Sequence, residues 1–368
     1  MRNDLGLWVE VDLAKVRSNV ANLKALLNPQ TRLLAVVKAN GYGHGDAAVA
    51  AAAIDGGAEW LGVARVDEGA SLRRSGITHP ILLLAEPPIG LVKRAVELEL
   101  TPTIYTPAIA QEFSNSRSYR EITVHIKVDT GMHRYGVDPA EIDLVLERVH
   151  SLDGLRVGGL WSHFAVADDA LDPFTEVQLE RFLHISESAK LPAQTLLHMG
   201  NSAAAISFPK AHFDMVRTGI AIYGIYPSSQ LTDKVSLEPV MELKSRVGLV
   251  KRHLKGESLS YGQRYTLGQD ANVATIPCGY ADGLSRALSN RGEVLVRGRR
   301  YRICGTITMD HFLIDVRDDQ VEIGDEVVII GRQGDEQITA YELAERLDTI
   351  PYEIVCGVNS RVPRIYLN

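Results

Sequence analysis

Apolar residues along this chain recur in two different rhythms, and the change between them falls after Pro227. The first apolar run, residues 7–12, alternates with polar positions as a half-buried strand does. The stretch after it, from about 13 to 27, carries Val16, Val20, Leu23 and Leu27 at helical spacing. A repeating unit then sets in. Short apolar runs at 33–37, 60–63, 81–84, 103–105, 124–128, 155–161, 195–198 and 213–216 are each followed by a helical stretch. Asp46 and Asp67 are the expected caps of the first two of these helices. Apolar runs such as Leu33 to Val37 predict parallel strands buried on both faces. About eight strand–helix units in succession predict a closed (β/α)8 TIM-type barrel.

Beyond Val240 the helical spacing largely disappears. Short alternating strands are predicted at 243–250, 273–276, 293–296, 300–304, 312–316 and 326–330, separated by glycine-containing turns, with one helix at 340–347. This pattern predicts a second, mostly antiparallel β domain. The expected division is 13–235 for the barrel and 236–368 for the β domain. Residues 1–12 are added to the latter because the first strand needs a sheet to pair with. The fold class is therefore α/β, a barrel followed by a β-rich domain.

Composition changes this picture only by exclusion. A chain of 368 residues exceeds the usual size of one core, in keeping with two domains. Its net charge of −7 argues against nucleic acid or an anionic membrane as the main partner. No apolar run is long enough to span a bilayer, and Met1-Arg2-Asn3-Asp4 has no signal-peptide pattern, so a cytoplasmic protein is expected. Three cysteines, Cys278, Cys304 and Cys356, are odd in number and lack metal-like spacing, which suits reduced thiols. The eleven histidines contain no HExxH pair, and no metal is expected. The basic run from Arg297 to Arg302 reads as a solvated hairpin.

Chemistry in a (β/α)8 barrel sits at the carboxyl ends of the strands. There the first strand runs into Lys38-Ala39-Asn40-Gly41-Tyr42-Gly43-His44-Gly45, a lysine followed by a glycine-rich turn. An amine partly desolvated at such a junction can attack a carbonyl and form a Schiff base. A lone lysine there would more often snorkel to water. The other strands decide between the two, because polar groups crowd the same mouth. Strand five leads through Lys127 and Asp129 to Arg134, strand six ends at His163, strand seven at His198 and Asn201-Ser202, and strand eight at Arg217. The loops after strands seven and eight, with Ser202 and the N–H groups of Gly219 and Ile220, suit a phosphate. A phosphate cradle beside a Schiff-base lysine points to pyridoxal phosphate.

The segments Val37-Lys38-Ala39-Asn40-Gly41-Tyr42-Gly43-His44-Gly45 and Lys127-Val128-Asp129-Thr130-Gly131-Met132, with Ser260-Tyr261-Gly262, Gly279-Tyr280-Ala281-Asp282-Gly283 and Met309-Asp310, resemble the bacterial alanine racemases over essentially the whole chain. That resemblance implies a pyridoxal-phosphate enzyme interconverting L- and D-alanine, with D-alanine used for cell-wall peptidoglycan. It implies Lys38 as the cofactor-bearing lysine and one base, and Tyr261, from the partner subunit of a head-to-tail homodimer, as the opposing base. Tyr42, Asn201, Ser202, Gly219, Ile220 and Tyr352 match cofactor contacts, chiefly to phosphate. Arg217 matches the arginine facing the pyridine nitrogen, and His163 the residue linked to it. Arg134 and Met309 match substrate-side contacts, with Lys127 (carbamylated in some relatives), Tyr280 and Asp310 in support.

The physics of two bases is independent of that resemblance. Racemisation removes a proton from one face of the α-carbon and returns it to the other, which two groups do better than one. An arginine cannot readily accept a proton, so a pyridine facing it stays unprotonated and is a weaker electron sink, which suits a racemase. Thr308 and Tyr135 depart from the usual cysteine and leucine of relatives and bear on substrate width. A racemase acting on serine or a wider range, a pyridoxal-phosphate decarboxylase and a non-catalytic pyridoxal-phosphate carrier are the competing readings. A decarboxylase would carry a glycine-rich phosphate loop and a catalytic cysteine, and a carrier would need only the barrel.

Overall fold

The computed structural model describes residues 6–117 and 120–368. The N-terminal four residues, read above for a signal pattern, lie outside the described residues. The chain divides into two units. One comprises 14–41 and 45–239, and the other comprises 1–13, 42–44 and 240–368.

The first strand, β1 (Leu7–Asp12), belongs to the second unit. Eight parallel strands follow in the first unit: β2 (Arg32–Val36), β3 (Trp60–Val63), β4 (Ile81–Leu83), β5 (Thr103–Ile104), β6 (Ile122–Lys127), β7 (Leu155–Trp161), β8 (Leu196–His198) and β9 (Met215–Thr218). They pair in two runs, β4-β3-β2-β9 and β5-β6-β7-β8. Thr101 joins the runs on one side, accepting from Leu83 N–H at 2.8 Å and donating to Ile81 O at 2.8 Å. On the other side Asp214 N–H reaches Leu197 O at 3.0 Å and Arg217 N–H reaches Gly200 O at 2.8 Å. The ring so closed is the TIM-type barrel. Its strands are apolar on both faces because one face meets the interior and the other the helices, and Leu33, Leu34, Leu61, Ile81, Ile126 and Val216 are fully buried.

Local differences from expectation have plain causes. The last barrel strand lies two residues later than expected, because Phe213 takes a left-handed conformation (φ 46°) and the Asp214 carboxylate caps Leu197 N–H at 2.7 Å. Arg217 is thereby inside the strand. Asp46 is the first residue of its helix, Asp46–Asp55, and Gly45 is the cap. The next helix, Val66–Arg74, is capped from its third position by Glu68, which accepts from Arg65 N–H at 3.1 Å, and not by Asp67.

The β-rich unit holds a sheet ordered Arg299–Arg302, Glu293–Val296, Glu326–Gln333, Met241–Arg246, β1, Arg364–Leu367. β1 pairs antiparallel with Met241–Arg246 and parallel with Arg364–Leu367. A second sheet is formed by Leu249–His253, Ala271–Ile276 and Phe312–Arg317. The single strand expected at 243–250 is two strands, because at Val247 and Gly248 the backbone turns from Asp325 O to Thr275 O and so changes sheets. A helix at Pro351–Gly357 was not expected; it is short and only Val355 on it is buried, too little to register as a period. Of the arginines at 297–302, which lie on a hairpin, Arg297 is met by Asp325, Arg299 by Asp319, and Arg300 by Glu293, Glu336 and Glu342, while Arg302 donates to Asn290 O.

Candidate active site

At the carboxyl end of β2 the chain does something L-residues avoid. Lys38 is half-buried, and after it Ala39 (φ 53°, ψ 49°), Asn40 (φ 54°, ψ 48°) and Gly41 (φ 59°, ψ 46°) form a left-handed helical turn. For the two non-glycine residues this hand costs about 1–2 kcal/mol each. Gly41 N–H to Val37 O at 3.0 Å and Gly45 N–H to Asn40 O at 2.8 Å close the turn. Strain of this kind persists only where surrounding contacts over-determine the backbone.

Facing groups on the other strands are cations and neutral imidazoles. Arg217, 3% exposed, donates to the carbonyls of Ser162 (2.7 Å), His198 (3.1 Å) and Met199 (3.1 Å), and its guanidinium lies 4.5 Å from the Trp161 ring centre. Burial lowers its pKa to about 9, so it stays charged at neutral pH. Because arginine only donates, the ring nitrogens it meets must accept. These are His163 Nδ1 at 3.1 Å and His198 Nδ1 at 3.0 Å. His198 then carries its proton on Nε2 and donates to His125 Nδ1 at 2.9 Å. His125 is left with its proton on Nε2, a buried atom with no hydrogen-bond partner. All three imidazoles are held neutral: burial and Arg217 push the His163 and His198 pKa values well below the ordinary histidine range, and that of His125 to about 3.

Lys127, at the end of β6, is 4% exposed, with its amine 4.7 Å from the Trp161 ring centre and 5.7 Å from that of Tyr135. Burial lowers its pKa to about 8, with further lowering from Arg217, Arg134 and Lys38. Asp129 is engaged with its own loop, accepting from Gly131 N–H (2.9 Å) and His133 N–H (3.1 Å). Asn201 caps the helix Ser202–Ser207 by accepting from Ala204 N–H at 3.0 Å. Ser202 is thus released from capping, and its Oγ accepts from Gly219 N–H at 2.8 Å, joining the loops after β8 and β9. Ile220 is buried directly after them.

The β-rich unit carries the remaining residues. Tyr42 and Tyr352 approach with ring centres 6.2 Å apart. Burial, then Tyr352 and Cys356, raise the Tyr42 pKa far above the ordinary phenol value, so it is a neutral donor. Gly43 cannot be larger: a Cβ there would lie 2.2 Å from Val355 O. Tyr261, Tyr280 and Met309 are large side chains left 74%, 44% and 52% exposed. Tyr261 edges a depression of about 500 Å³ with Ser260, Thr308, His311, Phe312 and Leu313. The turns bearing Tyr280 and Met309 are bonded together, Tyr280 N–H to Thr308 O and Ala281 N–H to Met309 O, both at 3.0 Å. Arg361 bridges them, donating to Asp282 and Asp310 at 2.7 Å each. Gly279 permits this closeness, since a Cβ there would lie 2.2 Å from Met309 O. Gly279→Ala should therefore lower stability by about 1–3 kcal/mol, read from the urea midpoint.

Within the barrel unit, then, Lys38, Lys127, Arg134, His163 and Arg217 act on one another electrostatically, and Ser202 meets Gly219. Sequence reasoning set His198 at the barrel mouth without assigning it a task and gave no role to His125, Glu68 or Arg361. For His125 and His198 the signal was available, as histidines on the two strands that flank β7. The donor set fits pyridoxal phosphate. Among the described residues Arg217's partners are neutral carbonyls and imidazoles, so its charge meets no acid there and the mouth suits an anion. Among the described residues no group of acids, histidines and cysteines could hold a metal ion, and no helix is long and apolar enough to cross a membrane.

Residues 11–227 match the family described as alanine racemase, N-terminal domain, and 240–366 match alanine racemase, C-terminal domain. The chain is 47% identical over 366 residues to the alanine racemase of Symbiobacterium thermophilum, covering 98% of this chain and 96% of that protein. It is 42% identical to alanine racemase 1 of Bacillus subtilis, covering 98% and 92%. Among solved structures, alanine racemase from Streptomyces coelicolor superimposes with a TM-score of 0.94 at 37% identity, over 100% of this chain and 99% of that one. The Bacillus anthracis alanine racemase with bound L-Ala-P gives 0.93 at 36%, over 99% and 95%. With both domains matched and identity sustained over nearly its full length, the chain belongs to the alanine racemase family of enzymes.

Proposed function

We propose that this protein interconverts L- and D-alanine with pyridoxal phosphate, in a head-to-tail homodimer whose sites each combine Lys38 with the partner subunit's Tyr261. The observation that carries the reading is the barrel mouth, where a half-buried strand-end lysine shares one field with a buried arginine that has only neutral partners. Incubation of the purified protein and cofactor with L-alanine should yield D-alanine. Its absence, with serine racemised instead, would reassign the substrate.

Each residue has a distinct task. When bound, pyridoxal phosphate supplies an electron-withdrawing ring that accommodates the electron pair left as the α-proton departs. Lys38 holds the cofactor and moves the α-proton of the D-isomer at its Nζ. Tyr261 moves that of the L-isomer at its phenolic oxygen. Arg217 would offer N–H to the ring nitrogen and, as a donor only, would leave it unprotonated, and His163, neutral and bonded to Arg217, fixes the guanidinium's plane. Tyr42, Asn201, Ser202, Gly219, Ile220 and Tyr352 hold the phosphate and its loops, with Tyr42 donating as a neutral phenol. Met309 N–H would take the substrate carboxylate, Arg134 would serve the cofactor's phenolate side, and Tyr280 and Asp310 would support the Met309 turn. Support for the dimer is the exposure of Tyr261, Tyr280 and Met309, a large unburied patch in one unit. The acidic charge and three free thiols support a cytoplasmic enzyme, with D-alanine passing to cell-wall peptidoglycan.

Lys127 is proposed to be carbamylated. Burial and neighbouring cations hold its pKa near 8, so a neutral amine is accessible at working pH. Its nitrogen adds to the carbon of carbon dioxide: a C–N bond forms as one C=O π bond breaks and its electron pair moves onto oxygen, a proton passes from nitrogen to solvent, and the carbamate anion can accept from Arg134. Lys127→Ala should lose activity and recover part of it with added acetate; absence of any rescue would argue for the free amine. A free amine also has a stability signature. Its folded pKa lies below the unfolded value near 10.4, so the unfolded chain holds more protons between the two, and stability would rise from about pH 8 to pH 10.

A further inference from the structure

One tie beside Lys38 comes from outside the machinery described so far. Glu68 lies in the first turn of the helix Val66–Arg74. One of its oxygens, Oε2, accepts from Ala64 N–H at 2.7 Å and Arg65 N–H at 3.1 Å, the ordinary work of a capping glutamate. Its other oxygen, Oε1, reaches back twenty-nine residues and accepts from Ala39 N–H at 2.7 Å. Ala39 directly follows Lys38 and opens the left-handed turn.

We propose that Glu68 is a positioning residue for Lys38, its carboxylate fastening the left-handed turn that aims the lysine amine. The inference rests on the reading of Lys38 as the cofactor-bearing lysine. At its far end the turn has ties of its own, Gly45 N–H to Asn40 O at 2.8 Å and Asp46 N–H to Asn40 Oδ1 at 3.2 Å. At its near end Gly41 N–H bonds Val37 O at 3.0 Å across the peptide between Lys38 and Ala39, and the N–H of that peptide itself is held by Glu68. Alanine has no intrinsic preference for φ near +53°, so released from Glu68 it relaxes towards ordinary backbone, and that peptide plane rotates at the root of the lysine side chain. A carboxylate suits the task because each oxygen accepts independently and both bonds are charge-assisted. Glutamine has one acceptor oxygen and would set an NH2 group against a backbone N–H. Both Glu68 oxygens are engaged by backbone amides, so it holds the turn and takes no part in proton transfer.

The test compares Glu68→Gln with the double variant Glu68→Gln/Ala39→Gly, both loaded with pyridoxal phosphate. Glycine adopts positive φ without cost and no longer needs the tie. Loss of α-deuterium from D-alanine, the isomer assigned to Lys38, should fall about ten-fold or more beyond that from L-alanine in Glu68→Gln, as a displaced reacting group implies. Cofactor release to hydroxylamine should quicken, and Ala39→Gly should reverse most of both effects. In the unaltered protein the Ala39 amide should be protected from hydrogen exchange although the residue is exposed, a measurement that does not depend on any variant folding. Equal loss for both isomers with no recovery on adding Ala39→Gly would reduce Glu68 to a helix cap and overturn the proposal, as would an unprotected Ala39 amide. Borohydride separates the two failures: a pyridoxyl label on another lysine overturns the reading of Lys38 and the proposal with it, whereas a label on Lys38 without the isomer bias overturns the clamp alone.

Discussion

Lys38→Ala should abolish racemisation, by about 10⁴-fold or more, and should leave the protein folded, because Lys38 is half-buried at a strand end and no apolar core position is lost. The same protein should release pyridoxal phosphate on gel filtration that the unaltered enzyme retains. Borohydride treatment of the unaltered enzyme should place the pyridoxyl mass on one peptide, that containing Lys38. A label elsewhere would remove the lysine from its assigned role. Thermal melting checks the other half of the expectation, since a large fall in Tm would show that the variant failed by unfolding.

Tyr261→Ala is the second large effect, and its signature is asymmetry. If Tyr261 serves the L-isomer, exchange of α-deuterium from L-alanine should fall by about 10²–10⁴-fold while exchange from D-alanine persists through Lys38. Equal losses on both sides would indicate a single base. The side chain is 74% exposed and fills no core space, so stability should be unchanged. Mixing Lys38→Ala with Tyr261→Ala subunits tests where the two groups meet. Under random exchange half the dimers are mixed and one site in each is intact, so about a quarter of all sites should recover. No recovery, once exchange of subunits is verified, would mean that each site is built within one chain.

Both predictions start from residues that stand out in the linear chain. Lys38 ends an apolar run and is followed by Gly41, Gly43 and Gly45, a local arrangement that needs no tertiary information to read. The barrel was equally legible, because a strand buried on both faces is a short apolar run wherever it occurs, and eight such runs recur with helical stretches between them. Boundaries were less so. Phe213 is apolar and β-branched residues follow nearby, so it reads as strand, yet its positive φ and the Asp214 cap on Leu197 begin the strand at Met215. The helix Pro351–Gly357 escaped notice because seven residues with one buried side chain carry no period.

The order of elements, the apolar faces and the chemical kinds of side chain at the strand ends follow from short-range periodicity and residue type alone. Which of those side chains share hydrogen bonds depends on how the strands close on one another. Arg217 lies nineteen residues from His198 and His198 seventy-three from His125, and their tautomers follow from one another only once the barrel brings these side chains together. Ser202 looks like a helix cap in sequence, yet Asn201 takes that task and Ser202 is freed for Gly219, a choice made by backbone direction at the end of β8. Glu68 likewise reads as one more acid in a first helical turn, and its bond to Ala39 exists because β2 and β3 are neighbours. Hydrogen bonds are directional and short, so residues far apart in the chain can use them only after closure of the barrel has fixed their distance and angle.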